Sequence, residues 1–411
     1  MKYILFIDDG MADNPVEELG GKTPIEFANI PNVDKIASRG TVGSVRTIPE
    51  GIAPGSDTAI LGILGCDVTK CYNGRGPLEA AANNIFLDPG NVGYRCNIVA
   101  FEDGDKPLEE RKILSHSAGS VEGEDAVALM EYLLGQPEFV EALTDAEMKI
   151  HVFPNFRQTA VQTFADIATQ KLIPPHDHLG EVCGPLLPSG CENAEKLKKI
   201  MILANKLLDK HPINERRRAE NKLPANGVWF WAQGTAAALP KFEERYGKKS
   251  AAVSAVPLVQ GIAALMGISL VYVEGATGEI DTNLEGKVAA ALELVKENDF
   301  VVVHVEAPDE CTHNGDLKGK VQSIEWLDSR VLTPLMAGLE KLGVDYRLLF
   351  VSDHKTLTST RGHDGEPVPY LLFDSRVDNK TGAVFNEKQG EKGPFIEKGT
   401  MLMDYLFSDR L

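Results

Sequence analysis

Positive charge is scarce in this 411-residue chain: 42 Lys and Arg stand against 60 Asp and Glu, a formal net charge of −18. With no basic surplus to neutralise phosphates, nucleic acid and anionic membrane surfaces are excluded as partners. A small phosphorylated anion stays open if arginines gather locally. Cysteine is scarce too. Six Cys without close pairs or a repeated spacing make no disulfide framework and fit a reducing, cytoplasmic compartment. No apolar run approaches membrane-spanning length. The first residues enter an apolar strand without the basic segment and apolar core of a leader. Internal repeats, low-complexity tracts and long linkers are absent. What is left is ordinary for a soluble globular chain, 43% hydrophobic and 25% charged. The length suits two domains, or one α/β domain with an insertion.

Three short apolar runs each end in acidic residues. Residues 348–351, LLFV, run into Ser352, Asp353 and His354, with His363 nine positions further on. So short a run before a polar turn predicts a buried strand of a parallel sheet. In open α/β sheets the chemistry lies just past the carboxyl ends of the strands. Residues 299–305, DFVVVHV, lead into Glu306-Ala-Pro-Asp-Glu-Cys-Thr-His313. Asp309 and His313 are four apart, so one helical turn sets both on one face. Residues 3–7 end in Asp8-Asp9-Gly10. One such stretch alone reads equally well as a turn aspartate and a surface histidine. Three together predict a metal site assembled from distant strand ends, and Asp with His but without Cys suits zinc, manganese or iron.

Residues 1–65 alternate strand and helix. Pro54-Gly55 punctuates the chain, and Ser56 or Asp57 is placed to cap a helix over residues 58–64. A serine there is most simply a cap. The N–H groups and dipole of a helix start also favour an anion, so a phosphoryl group on Ser56 would be held. Arg75, between two glycines, is either a substrate anchor or a loop cation. From about residue 85 to 225 the character changes, with short β-like runs, helices and a Pro-, His- and Gly-rich loop over 173–191. This predicts an inserted second domain. It holds Arg157 and the cluster Arg216-Arg217-Arg218, and arginine suits a bidentate grip on phosphate or carboxylate. A solvated helix face is the alternative for the cluster. From Val228 the parallel pattern is expected to resume with VWFWAQG. Lys287 is expected to open a helix, and residues 370–373 to form the last strand.

The segments Asp9-Gly10-Met11-Ala12-Asp13, Pro54-Gly55-Ser56-Asp57, Gly74-Arg75-Gly76-Pro77-Leu78-Glu79-Ala80, His211-Pro-Ile-Asn214, Pro224-Ala-Asn226 with Trp229-Phe-Trp231, Gly275-Ala-Thr-Gly278 with Asp281-Thr282, and Asp309-Glu310 with His313 follow one another along nearly the full chain. In this set the chain resembles the archaeal-type cofactor-independent (2,3-bisphosphoglycerate-independent) phosphoglycerate mutases of the alkaline phosphatase superfamily. The resemblance implies an α/β fold: an alkaline-phosphatase-like, mostly parallel sheet with helices on both faces over 1–84 and 226–411, and an inserted smaller α+β substrate-binding domain over 85–225. It implies two divalent metal ions (Mn, Zn or Mg) and no 2,3-bisphosphoglycerate. Asp9, Ser56, Asp353 and His354 would hold one ion, and Asp309, His313 and His363 the other. Ser56 would be the catalytic nucleophile, carrying a phosphoserine while 3-phosphoglycerate and 2-phosphoglycerate interconvert. Arg75, Arg157, Arg217 and Lys287 are the substrate-binding candidates. Two departures stand out. Asp8 fills a place that is usually apolar in the family. Ser115-His-Ser-Ala-Gly-Ser120 lacks an acidic–Arg–Arg stretch common there, so a substrate anchor is missing or comes from Arg95, Arg111, Arg157 or Arg217. A related branch proposed to phosphorylate homoserine shares the metal residues and is the first alternative. A metal-dependent phosphatase or phosphodiesterase is the second. The sequence sets no oligomeric state.

Overall fold

The chain divides into two compact units, Met1–Tyr72 with Ala238–Leu411, and Asn73–Ala237. The computed structural model describes residues 1–408. In chain order the strands are β1 Lys2–Asp8, β2 Thr41–Val45, β3 Val92–Phe101, β4 Ile113–Ser115, β5 Met148–His151, β6 Arg157–Gln162, β7 Gly227–Thr235, β8 Ser250–Val253, β9 Ser269–Val271, β10 Phe300–Val305, β11 Tyr346–Ser352, β12 Lys355–Leu357, β13 Gly362–Asp364, β14 Val368–Asp374 and β15 Phe395–Ile396. Among the described residues no helix is long and apolar enough to cross a membrane.

The first unit is built on an eight-stranded sheet, ordered β15-β2-β14-β11-β1-β10-β8-β9 among the described residues. β11, β1, β10, β8 and β9 run parallel. β14 runs against both β11 and β2. The central strands are continuous aliphatic runs because both of their faces are covered. Tyr3 meets Phe407 of the helix Leu402–Phe407, ring centroids 5.0 Å apart. Phe6, of opposite parity and so on the other face, meets Phe350 at 5.2 Å, and Phe350 meets Phe385 at 5.0 Å. Register aligns the strand ends: Asp8 lies beside Val305 on one side and Ser352 on the other. The next residues of three parallel strands, Asp9, Glu306 and Asp353, therefore leave the sheet at one edge.

The second unit holds an antiparallel sheet ordered β4-β3-β6-β5, with β7 also on β3. The helices Gly123–Leu134, Pro137–Asp145 and Glu192–Leu208 pack with Phe101, Trp229 and Phe230 into its core. Here the structure corrects the expectation for VWFWAQG. β7 does not resume the parallel sheet. It lies antiparallel to β3, Trp229 opposite Asn97, and the Trp229 indole N–H donates to Ile173 O at 2.8 Å. A short buried run carries no mark of its partner's direction. The parallel pattern resumes at β8. Three smaller expectations also shift. The helix expected over 58–64 spans Ser56–Ile63, with Gly55 at its N-cap, so Ser56 is its first residue and not a cap. Lys287 lies inside the helix Leu284–Glu297, which Asn283 caps. The run at 370–373 belongs to β14, and β15 comes after it.

A buried ion pair ties β14 to the parallel core. Arg347 and Asp374 are register partners on β11 and β14. Arg347 Nε lies 2.7 Å from Asp374 Oδ2, with both side chains almost fully buried. The Arg376 guanidinium, working against burial and alongside Arg347, holds the Asp374 carboxyl well below the usual carboxylate range. Its contribution to stability is therefore present above the ordinary aspartate value of about 4 and is lost as pH falls through the depressed folded value. Asp374→Asn leaves Arg347 charged and unpaired, an expected loss of ~3–5 kcal/mol at neutral pH by urea denaturation. The gap to wild type should narrow below about pH 4. A gap that stays constant with pH would refute the pairing argument.

Candidate metal centre

Asp9 follows β1 directly, its N–H donating to Val305 O at 2.9 Å. Asp353 and His354 follow β11. Asp353 Oδ1 accepts from Gly10 N–H at 3.0 Å and from His354 N–H at 2.8 Å. Asp353 Oδ2 and Asp9 Oδ1 are buried and accept no hydrogen bond among the described residues. Both face one imidazole nitrogen: His354 Nε2 lies 3.2 Å from Asp353 Oδ2 and 3.5 Å from Asp9 Oδ1. Ser56, at the start of its helix, places Oγ 3.2 Å from the same nitrogen.

A second group adjoins the first. The helix Ala307–His313 follows β10 and sets Asp309 and His313 on one face, Asp309 Oδ2 3.1 Å from His313 Nε2. The β12–β13 hairpin brings His363 opposite Thr356. His363 Nε2 lies 3.0 Å from His313 Nε2 and 3.5 Å from Asp309 Oδ1. Thr356 stitches the groups together: its hydroxyl lies 2.6 Å from Asp309 Oδ1 and 3.1 Å from His354 Nδ1. With the hydroxyl proton on Asp309, His354 donates from Nδ1 and its Nε2 lone pair faces the carboxylates.

Charge makes this arrangement costly without a cation. Burial, then the Asp353 charge, pushes the Asp9 carboxyl well up. Burial also pushes Asp353 up and His354 down. Asp309, despite burial, is held well below the usual range by hydrogen bonds from His313 and His363. The hydrogen bond to Asp309 raises His313 to about 9. Lone pairs pointing at one another in a buried place suit a cation. Asp9, Asp309 and His354 bring ligand atoms within 4.8 Å of one another, as do Asp309, His313 and His363. Asp309 belongs to both groups. The residues present thus fit divalent metal.

All seven residues expected to bind metal come together: Asp9, Ser56, Asp309, His313, Asp353, His354 and His363. Of the four expected to bind substrate, one lies in the first unit and three in the second. Lys287 is fully buried in the first unit, and its amine, pushed down to about 8 by burial, points at His304 O from 3.2 Å. That contact ties the amine to the backbone of β10. Arg217 is buried, with Nε on Leu223 O at 2.9 Å and Nη2 on Ala118 O at 2.8 Å. Arg75 pairs with Glu79 at 2.7 Å. Arg157 stays exposed, over the Phe156 ring at 5.0 Å. Sequence reasoning passed over His304, whose Nε2 lies 2.9 Å from Asp9 Oδ2. Its only signal is a lone imidazole inside an otherwise apolar strand. Burial pushes that imidazole down to about 3, so it is neutral. Lys320 was missed as well. It is fully buried, donating to Asp13 Oδ2 at 3.0 Å and to Thr356 O at 2.7 Å.

A parallel α/β sheet that gathers carboxylates and imidazoles at one edge is the framework of a metal-dependent enzyme, and residues 1–409 match the family model of the metalloenzyme superfamily. A probable 2,3-bisphosphoglycerate-independent phosphoglycerate mutase of Geobacter sulfurreducens is 39% identical over 408 residues, 99% of each chain. The 2,3-bisphosphoglycerate-independent phosphoglycerate mutase of Methanothrix thermoacetophila is 40% identical over 96% of each chain. The chain belongs to the family of 2,3-bisphosphoglycerate-independent phosphoglycerate mutases. Among solved structures, the PH0037 protein of Pyrococcus horikoshii matches with a TM-score of 0.78 at 30% identity, covering 100% of this chain and 98% of that one. The cofactor-independent phosphoglycerate mutase of Thermoplasma acidophilum, TM-score 0.63 at 24% identity over 99% of both chains, shares the fold.

Gly10 tests the packing of the centre. Its φ is +63°, and a Cβ there would sit 2.5 Å from Thr356 Oγ1 and 2.6 Å from Asp309 Oδ1. Gly10→Ala should displace Asp309, the residue common to both groups. Affinity for Mn²⁺ in isothermal titration calorimetry should fall roughly tenfold or more. Unchanged affinity would show that Asp309 does not bear on the site.

Proposed function

We propose that this chain interconverts 3-phosphoglycerate and 2-phosphoglycerate through a phosphoserine on Ser56. It works with two divalent cations, manganese, zinc or magnesium, and without 2,3-bisphosphoglycerate. One observation carries the reading. Ser56 Oγ and the unpartnered oxygens of Asp9 and Asp353 all lie within 3.5 Å of His354 Nε2. A nucleophile is thus set against a cation site. Full-length relatives named for this activity support the same reading.

The roles come from position. Asp9, Ser56, Asp353 and His354 would hold one cation, and Asp309, His313 and His363 the other. Bound cations supply Lewis-acid stabilisation of the phosphoryl oxygens and lower the pKa of the serine hydroxyl. Ser56 Oγ attacks phosphorus in line, its bond to phosphorus forming as the bond to the glycerate oxygen breaks. As the first residue of its helix, Ser56 would carry the phosphoryl group at the positive end of that helix's dipole. The second glycerate hydroxyl then attacks the phosphoserine and frees Ser56. Retaining the glycerate between the two transfers is what separates a mutase from a phosphatase, and it needs anchors for the carboxylate. In the second unit Arg95 lies 4.3 Å over the Trp231 ring and pairs with Glu79, as Arg75 does. The exposed Arg157 and these two suit that task better than Arg217, whose donors are engaged by backbone. The substrate in this reading is a small phosphorylated acid, and a glycolytic role would suit the cytoplasm.

The test is conversion of 3-phosphoglycerate with Mn²⁺, coupled to enolase. Wild type should turn over, and Ser56→Ala should lose about 10³-fold or more. Full activity in Ser56→Ala would remove the covalent route. Phosphorylation of homoserine by ATP, or release of free phosphate, in place of mutase activity would overturn the assignment in favour of a kinase or a phosphatase.

A further inference from the structure

Behind Asp9 runs a line of hydrogen bonds that phosphoryl transfer through Ser56 does not use. Val256 N–H donates to Ser254 Oγ at 3.1 Å. Ser254 Oγ lies 3.2 Å from His304 Nδ1, and His304 Nε2 lies 2.9 Å from Asp9 Oδ2. Asp9 and His304 are 0% exposed and Ser254 5%. One proton assignment, with a single hydrogen on the ring, satisfies every member. The carboxylate accepts, so Nε2 carries the hydrogen. Nδ1 is then an acceptor and takes the serine hydroxyl proton, and the serine oxygen accepts from Val256. The line crosses neighbouring strands, from the residue after β8, through β10, to the residue after β1. All its dipoles point towards the carboxylate. Asp9 Oδ2 is held, while Asp9 Oδ1 accepts nothing and lies 3.5 Å from His354 Nε2.

The geometry points to His304, backed by Ser254, as a positioning residue that holds Asp9 as a one-oxygen metal ligand. A free carboxylate can swing, or chelate through both oxygens. Tying Oδ2 stops both movements and leaves the lone pairs of Oδ1 aimed at the centre. Outer-sphere partners of this kind typically change metal affinity by about 10–100-fold. One-oxygen ligation also suits cations with compact coordination over Ca²⁺, which takes six to eight oxygens and accepts bidentate carboxylates. The inference rests on the proposed two-cation centre.

The experiment is calorimetric titration of the chelator-stripped, full-length protein with MnCl₂ and, separately, CaCl₂. It compares wild type, His304→Gln, His304→Phe and Ser254→Ala, with the metal-free melting temperature of each. Fewer than two Mn²⁺ bound by wild type would defeat the two-cation reading itself. With two bound, His304→Phe should weaken one site by about 10–100-fold and leave the other near wild type. The loss should be larger for Mn²⁺ than for Ca²⁺. His304→Gln, which keeps an N–H near the Nε2 position, should recover most of the affinity. Ser254→Ala should weaken the same site by a smaller factor, and it carries the test if His304→Phe does not fold. Wild-type affinity in His304→Phe or Ser254→Ala would overturn the proposal. So would equal losses in His304→Phe and His304→Gln, since those would mark a packing role.

Discussion

The structure turns on a repulsion. Asp9, Asp309 and Asp353 bring their carboxylates, with the imidazoles of His313, His354 and His363, into one small volume whose Asp9, Asp353 and His354 side is sealed from water. Side chains alone would not choose that arrangement. The backbone imposes it, because β10, β1 and β11 are parallel, in register, and locked by packing on both faces. Their carboxyl ends then emerge together, whatever charge comes after them. Burying unpaired carboxylate oxygens costs several kcal/mol each unless something compensates. Packing along the strands meets that cost in the folded chain, and a cation relieves it.

The metal-free centre offsets part of the repulsion by itself. Asp309 and His313 shift in opposite directions through their shared hydrogen bond. A proton on His313 thereby stands where a cation's charge would act. Around Asp9 and Asp353 the neighbouring imidazoles, His304 and His354, are both pushed down by burial. One oxygen of each is tied down, and the other accepts nothing among the described residues. The two halves of the centre are thus unequal: His313 shares a hydrogen bond with Asp309 and is raised by it, while burial pushes the Asp9 and Asp353 carboxyls up towards their neutral forms.

This asymmetry explains what the sequence disclosed. The strand ends were legible because an aliphatic run and an acidic turn need no tertiary knowledge, and the four-residue spacing of Asp309 and His313 reads directly as one helix face. The parallel core and its active edge followed. β7 was misplaced because Val228 to Trp231 looks the same whichever sheet it joins; only its pairing with β3 assigns it to the second unit. His304 was hidden for a related reason. Inside DFVVVHV one imidazole resembles a tolerated core residue, and its worth depends on the carboxylate of a strand some three hundred residues away. Lys287 shows the same limit: near a helix start it reads as a ligand candidate, and only the structure shows its amine on the backbone of the strand beneath.

The second unit shows the same limit and points to how it is overcome. Ser115 to Ser120 lacks the arginines common in the family, and Arg217 looks in sequence like a replacement. Its guanidinium instead binds Ala118 O and Leu223 O, and Ala118, Gly119 and Ser120 all have positive φ. Arg217 therefore holds a strained turn in place, a structural task that uses the donors an anchor would need. Arg75 and Arg95 both pair with Glu79, so two guanidinium groups stand together in a chain whose net charge is strongly negative. An anionic substrate responds to local charge and not to the overall sum. Under the proposed function, anchoring of the substrate carboxylate would fall to residues whose sequence context gives no sign of it.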